Sequence, residues 1–164
     1  MKKILNLGCG NDNYGTDRLD FVKTKTTTKV SDLNKKFPYK DNSFDEVYSK
    51  SVIEHIKNLG IFVDEAYRVL KKGGKIYILT DFAGYIPFFI SKKNEHNNYI
   101  KYNWNSEDAH YHLFVESHLR LLFKKFKNIK INYFYGGGNA IKRLILKSLP
   151  FHLGAIHIIL TAEK

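Results

Sequence analysis

Apolar and polar positions in this chain switch between two periods, and the switches divide it into elements. Lys2–Leu7 reads as a buried strand, Thr16–Phe21 as a second, Lys29–Val30 as a short third, and Phe44–Ser49 begins a fourth. From Ser51 to Leu70 the spacing becomes helical, with Ile53, Ile56, Phe62, Val63, Ala66 and Leu70 near a 3.6-residue period and Gly60 as a point of interruption. Lys71 and Lys72 complement the negative end of that helix, and Gly73-Gly74 offer the left-handed residue that stops it. Lys75–Thr80 alternates as a fifth strand. Leu113–Phe126 is helical again, Ile129–Tyr135 is a strand ended by Gly136-Gly-Gly138, Ala140–Leu149 is a short basic amphipathic helix broken at Pro150, and Ala155–Ala162 is a last strand. Strands alternating with helical segments predict a largely parallel sheet covered on both faces. Between Asp81 and Asp108 no period holds, so 81–112 is expected to be a lid or substrate-facing insertion, with a merely irregular connection as the alternative, within a single domain spanning 1–164.

The apolar run of the first strand ends directly in Gly8-Cys9-Gly10. Glycines at a strand tip let backbone approach a ligand that a Cβ would block, and leave N–H groups at the edge of the sheet. A tight turn would need the same residues. Asp20 closes the second strand, where a carboxylate can accept from both hydroxyls of a ribose, and Asp32 follows the third. A nicotinamide-type fingerprint is disfavoured, because Asn13 stands where the third glycine belongs and Asp20 arrives before a full helix could intervene. A P-loop is excluded, since no Gly-Lys-Ser/Thr follows the glycines.

Five segments in order carry a resemblance: Leu5-Asn-Leu-Gly-Cys-Gly10, Ser31-Asp-Leu33, Phe37-Pro-Tyr-Lys-Asp-Asn-Ser-Phe-Asp-Glu-Val-Tyr-Ser49, Val52-Ile-Glu-His55 and Glu65-Ala-Tyr-Arg-Val-Leu-Lys-Lys-Gly-Gly74. On these the chain resembles the class I S-adenosylmethionine-dependent methyltransferases, specifically the small type 11 group. The resemblance implies a Rossmann-like seven-stranded, mostly parallel α/β sheet with its last strand antiparallel and helices on both faces. It also implies a cofactor, S-adenosyl-L-methionine, with Gly8, Cys9, Gly10 and Asn11 around its methionine part, Asp20 on the ribose, Asp32 and Leu33 beside the adenine, and Ser49 at the neighbouring strand end. Asp32 has a rival role as a cap for the turn that follows it. Only Cys9–Gly15 is available for the first crossover, so either its helix is reduced to a turn or the second strand is misplaced.

Methyl transfer needs alignment of donor and nucleophile and, for a hydroxyl or amine acceptor, a proton acceptor. Glu54, His55, His110 and His112 are the candidates, with Tyr85, Trp104 and Tyr111 as possible pocket walls; either histidine of the later pair could equally be a surface or core residue. Glu54-His55 resembles a pair that helps bind a divalent ion in some quinone-type O-methyltransferases but lacks a third oxygen donor, and one cysteine with scattered histidines makes none of the usual zinc spacings, so no metal is expected.

A net charge of +11, from 27 basic and 16 acidic residues, makes an anionic partner plausible but is spread over both halves. The expected acceptor is a small molecule, methylated on oxygen or nitrogen. Alternatives are a tRNA or rRNA substrate, a non-catalytic cofactor-binding subunit, and an acceptor at a membrane surface. The last rests on Ile141, Leu144, Ile145, Leu149 and Phe151 sharing a segment with Lys142, Arg143 and Lys147. In that position the apolar face is expected to pack on the sheet. One cysteine, no leader-like apolar core and no apolar stretch of bilayer length lead to the expectation of a soluble cytoplasmic protein. The oligomeric state is not readable from the sequence.

Overall fold

The computed structural model describes residues 1–85, 110–136 and 140–164 of the chain. Trp104, Gly137, Gly138 and most of the 81–112 insertion lie outside the described residues. Seven strands form one sheet: β1 (Ile4–Leu7), β2 (Asp17–Asp20), β3 (Lys29–Val30), β4 (Phe44–Lys50), β5 (Leu70–Asp81), β6 (Lys127–Phe134) and β7 (His157–Glu163), in the order β3-β2-β1-β4-β5-β7-β6. β3, β2, β1, β4 and β5 pair in parallel, while β7 is antiparallel to both β5 and β6. The predicted strands and the antiparallel last strand are therefore present.

Pairing registers define the two faces. Leu19, Leu7, Ser49, Ile78, Leu160 and Ile131 form one row across six strands. On this side helices α1 (Leu59–Val69) and α2 (Glu116–Leu122) bring Phe62, Val63, Ala66, Val69 and Leu119 into the core. The adjacent row, Arg18, Asn6, Tyr48, Tyr77, Thr161 and Lys130, faces the other way. Among the described residues no helix lies over it, so the expected cover on both faces is found on one. The reason is length: the parallel crossovers β1–β2 and β2–β3 run only through 8–16 and 21–28, too short for a helix. Of the two sequence alternatives the first holds, because Leu5 pairs with Asp17 and Leu7 with Leu19, which fixes β2 where it was expected. In place of a helix, Tyr14 packs on Tyr48 at 4.7 Å and Tyr48 stacks on Tyr77 at 5.2 Å.

The helical period from Ser51 splits into a 3-10 turn, Ile53–His55, and α1. Ser51 adopts a left-handed φ of 53° and Ile56 is extended, which separates the two. Nor does the Gly73-Gly74 pair cap α1, which ends when Leu70 turns extended and joins β5. Gly73, at φ 74°, makes the turn, and Gly74 is needed because a Cβ there would lie 2.8 Å from the Lys71 carbonyl oxygen. Lys71 then pairs with Asp45 at 2.7 Å instead of the helix end. Arg68 ties the region together, donating to Glu65, to Asp41 and to the carbonyls of Phe37 and Tyr39. The third helix, α3 (Ala140–Ser148), follows β6, and a Pro150–His152 turn leads from it to β7.

Candidate functional site

All five parallel strands end on the same edge, where their C-terminal tips present loops. At β1 the chain turns through Gly8, Cys9 and Gly10. Gly8 has φ +67°, and a Cβ there would lie 2.4 Å from the Val52 side chain, so this glycine seats the loop against the segment that leads into Glu54 and His55. Gly10 has φ +49°, and the position of its Cβ is open space. Its N–H donates to Asp20 Oδ2 at 2.7 Å, and its carbonyl accepts from the Thr24 and Thr26 hydroxyls at 2.5 and 2.7 Å. Asp20 is buried, and its other oxygen accepts from the Val22 N–H at 3.0 Å. Each carboxylate oxygen keeps a further lone pair for a hydroxyl donor.

The remaining cofactor candidates divide. Asn11 is exposed at the loop. Cys9 is buried beneath it, with Sγ 3.7 Å from the Thr27 hydroxyl, so its side chain is turned away from the open side. Ser49 is fully buried and its hydroxyl donates to the Leu7 carbonyl at 3.3 Å, which places it in the β1–β4 seam rather than in the crevice. Asp32 holds the turn that follows it. One oxygen accepts from both the backbone and side-chain nitrogens of Asn34, at 2.9 and 3.0 Å, and these bonds hold its carboxyl below the usual range. Leu33 beside it is buried.

Next to the loop, Glu54 is 1% exposed and accepts a 2.7 Å hydrogen bond from Thr80. Burial pushes its carboxyl up to about 7, with nearby Asp81 adding to the rise. The Glu54 carbonyl accepts from the N–H groups of Tyr111 and His112, which clamps the segment before α2 onto the turn. That clamp sets the His110 ring edge-on to His55 at 4.2 Å. Burial first, and the His55 ring second, lower His110 to about 4, so its imidazole is neutral near pH 7.

Donor atoms of Glu54, His55 and His110 all lie within 4.8 Å of one another. Two imidazoles and a carboxylate are a donor set suited to a zinc-like divalent ion as well as to proton transfer. Three of the four proton-acceptor candidates, Glu54, His55 and His110, are thus brought together, the third from a segment far along the chain. His112 does not join them; its ring is 6.0 Å from Phe114 and it lines a groove with Leu59 and His118.

Sequence reasoning missed Asp81 and His157. Buried Asp81 ends β5 with His110 Nδ1 at 3.5 Å and His157 Nε2 at 3.4 Å on its two oxygens. An acid at the tip of a parallel strand, the same signal that selected Asp20, would have found it. The threonines at 24, 26 and 27 were also missed, and polar residues in a loop carry no such signal.

Residues 9–78 match the type 11 family model of the methyltransferase domain. Over those residues the chain is a methyltransferase domain of the type 11 family. S-adenosyl-L-methionine is the cofactor of that family. A phosphoethanolamine N-methyltransferase of Arabidopsis thaliana is 30% identical to this methyltransferase domain over 106 residues, covering 50% of the chain and 21% of the plant protein. The chain thus spans about a fifth or less of the length of the curated relatives it matches. Among solved structures, a possible histamine N-methyltransferase of Thermotoga maritima matches all of the chain and 82% of its own, with TM-score 0.72 and 16% identity. A Haemonchus contortus phosphoethanolamine N-methyltransferase in complex with S-adenosyl-L-methionine matches 100% of this chain and 49% of its own, with TM-score 0.67 and 19% identity. These likenesses extend the same fold over the whole of the chain. No described helix is long and apolar enough to cross a membrane.

Proposed function

We propose that the domain binds S-adenosylmethionine along the Gly8–Asn11 loop and transfers its methyl group to an oxygen or nitrogen of a small-molecule acceptor. One observation carries the reading. The open position at Gly10, the buried Asp20 carboxylate and the Glu54–His55–His110 cluster share one sheet edge, joined by the contact between Gly8 and Val52. The residues fit the cofactor: a Cβ at Gly10 would fill space that backbone leaves open, and Asp20 has lone pairs for ribose hydroxyls. Ser49, whose hydroxyl is held in the seam, contributes little to affinity, whereas Asp32 uses one oxygen for its turn and keeps Oδ2 outside it, 3.7 Å from Lys35.

The bound cofactor supplies an electrophilic sulfonium methyl. A hydroxyl or amine acceptor methylated there would give up a proton, and the Glu54–His55–His110 cluster would receive it. There Glu54 is the group that ionises near neutrality, where a general base works best. His110, held neutral, can present a ring nitrogen to the acceptor without placing a second cation beside the sulfonium. The amine acceptor in the plant relative's name supports a nitrogen acceptor among the two.

Calorimetric titration with S-adenosylmethionine, S-adenosylhomocysteine and NAD tests the reading. Binding of the first two, absence of binding by NAD, and loss of binding in Gly10→Val with circular dichroism unchanged are expected. Unaltered affinity in Gly10→Val removes the loop from the site.

A further inference from the structure

The sequence places α3 against the sheet, and the structure does not. Ile141, Leu144 and Ile145, at helical spacing on one face, are 70%, 70% and 59% exposed. Just beyond them Phe151 is 84% exposed and held at a left-handed φ of 53°, a backbone state that bulky residues rarely adopt. Nothing among the described residues covers this surface. Four large apolar side chains in one short segment, one of them presented by a strained turn, form a patch rather than scattered exposure.

Charge says what the patch fits. α3 itself has Lys142, Arg143 and Lys147 in its sequence and no acidic residue. Arg143 and Lys147 are exposed. A basic helix with an aliphatic face is suited to lie in the headgroup region of an anionic bilayer, apolar side inward and cations toward lipid phosphates. Single-stranded nucleic acid would satisfy the cations but leave Ile141, Leu144 and Ile145 in water, since its binding sites rely on aromatic stacking platforms.

Position adds a consequence. Phe134 at the end of β6 and Asp81 at the end of β5 both pair with His157, so α3 and the Phe151 turn leave the sheet on the edge that carries Asp81 and the Glu54 cluster. We propose that α3 and the Phe151 turn dock this domain on an anionic lipid bilayer, with the candidate active-site edge toward the membrane. The proposal stands apart from the methyl-transfer reading, because docking requires no cofactor or turnover.

Flotation of the whole chain tests it, with vesicles of phosphatidylcholine alone and of phosphatidylcholine mixed with phosphatidylglycerol. Flotation with the mixed vesicles only is expected. The bound fraction should fall about tenfold or more both in Leu144→Asp/Ile145→Asp and in Arg143→Glu/Lys147→Glu, since apolar insertion and charge act together. All four side chains are exposed, and circular dichroism checks that the variants fold. In a second measurement Phe151→Cys carries an environment-sensitive fluorophore, and the native Cys9 is buried away from the label. A blue shift on adding mixed vesicles is expected. Three results overturn the proposal: no flotation with either vesicle, binding that survives the Asp substitutions, or binding of an oligouridylate probe without binding to vesicles. The last identifies the surface as a nucleic-acid face.

Discussion

Replacing Glu54 by Gln removes one titrating group from a sealed position and leaves an oxygen to accept the Thr80 hydroxyl at the 2.7 Å site. The carboxyl is 1% exposed and its pKa rises from 4.5 to about 7 because burial penalises the anion. At about 1.36 kcal/mol per pH unit, ionising it inside the fold costs roughly 3 kcal/mol. Between the unfolded and folded pKa values the folded protein holds a proton that the unfolded chain has released. Stability associated with this group is therefore complete at low pH and lost as pH rises through about 7. The Gln variant lacks that loss. Urea unfolding of both proteins from about pH 4 to about pH 9 should give a stability difference, variant minus wild type, that climbs by roughly 3 kcal/mol and levels off in mild alkali. His110, lowered to about 4, acts in the opposite sense in both chains, so the difference is more informative than either curve. A flat difference would mean that Glu54 titrates like a solvated carboxylate and that its burial, hence its role as a base near neutrality, is wrong.

Other perturbations probe separate parts of the molecule. Asp20→Ala should weaken S-adenosylmethionine binding by about 1.5–3 kcal/mol, the range for hydrogen bonds to a charged group, read by calorimetry; unchanged affinity removes the ribose contact. Gly8→Ala combines a left-handed φ with a Cβ 2.4 Å from Val52 and should cost about 2–4 kcal/mol in thermal or urea unfolding, with part of the loss recovered by adding Val52→Ala. Arg68→Ala removes the donors shared by Glu65, Asp41, Phe37 and Tyr39 and should cost about 2–4 kcal/mol. Glu65 is held below its usual pKa chiefly by Arg68, so the stability it adds is present above about pH 4.5 and lost as pH falls through the depressed value. The variant should therefore have a shallower acid limb.

The strands were legible because their signals are local. Val47, Ile76 and Ile78 are buried on one side, and each lies in a short apolar run bounded by polar or glycine residues. Gly8, Gly10 and Asp20 were legible for the same reason: strand tips demand particular residues. What the sequence did not disclose depends on partners far along the chain. His110 joins Glu54 only because the Glu54 carbonyl clamps residues 111 and 112, and Asp81 gains meaning from His110 and His157 on either side. The period from Ser51 to Leu70 looked continuous because apolar spacing persists across the extended Ile56, whose backbone conformation leaves no mark in the pattern. For α3 the amphipathic period was right and the side it would cover was not, since periodicity identifies a face without naming what meets it.

The short β1–β2 crossover bears on how this fold could be enlarged. Parallel strands of this kind are ordinarily spaced by a helix, yet here Tyr14 packs on Tyr48 of β4, which stacks on Tyr77 of β5. Asn13 and Lys25 are exposed in the two abbreviated connections. Grafting a helix at either point would extend the chain across the bare side of the sheet while the strand tips kept their places. The domain is in that sense a minimal chassis, whose two shortest connections carry the Gly8–Asn11 loop and the threonines that hold it, so any architecture added there would be built onto the site itself.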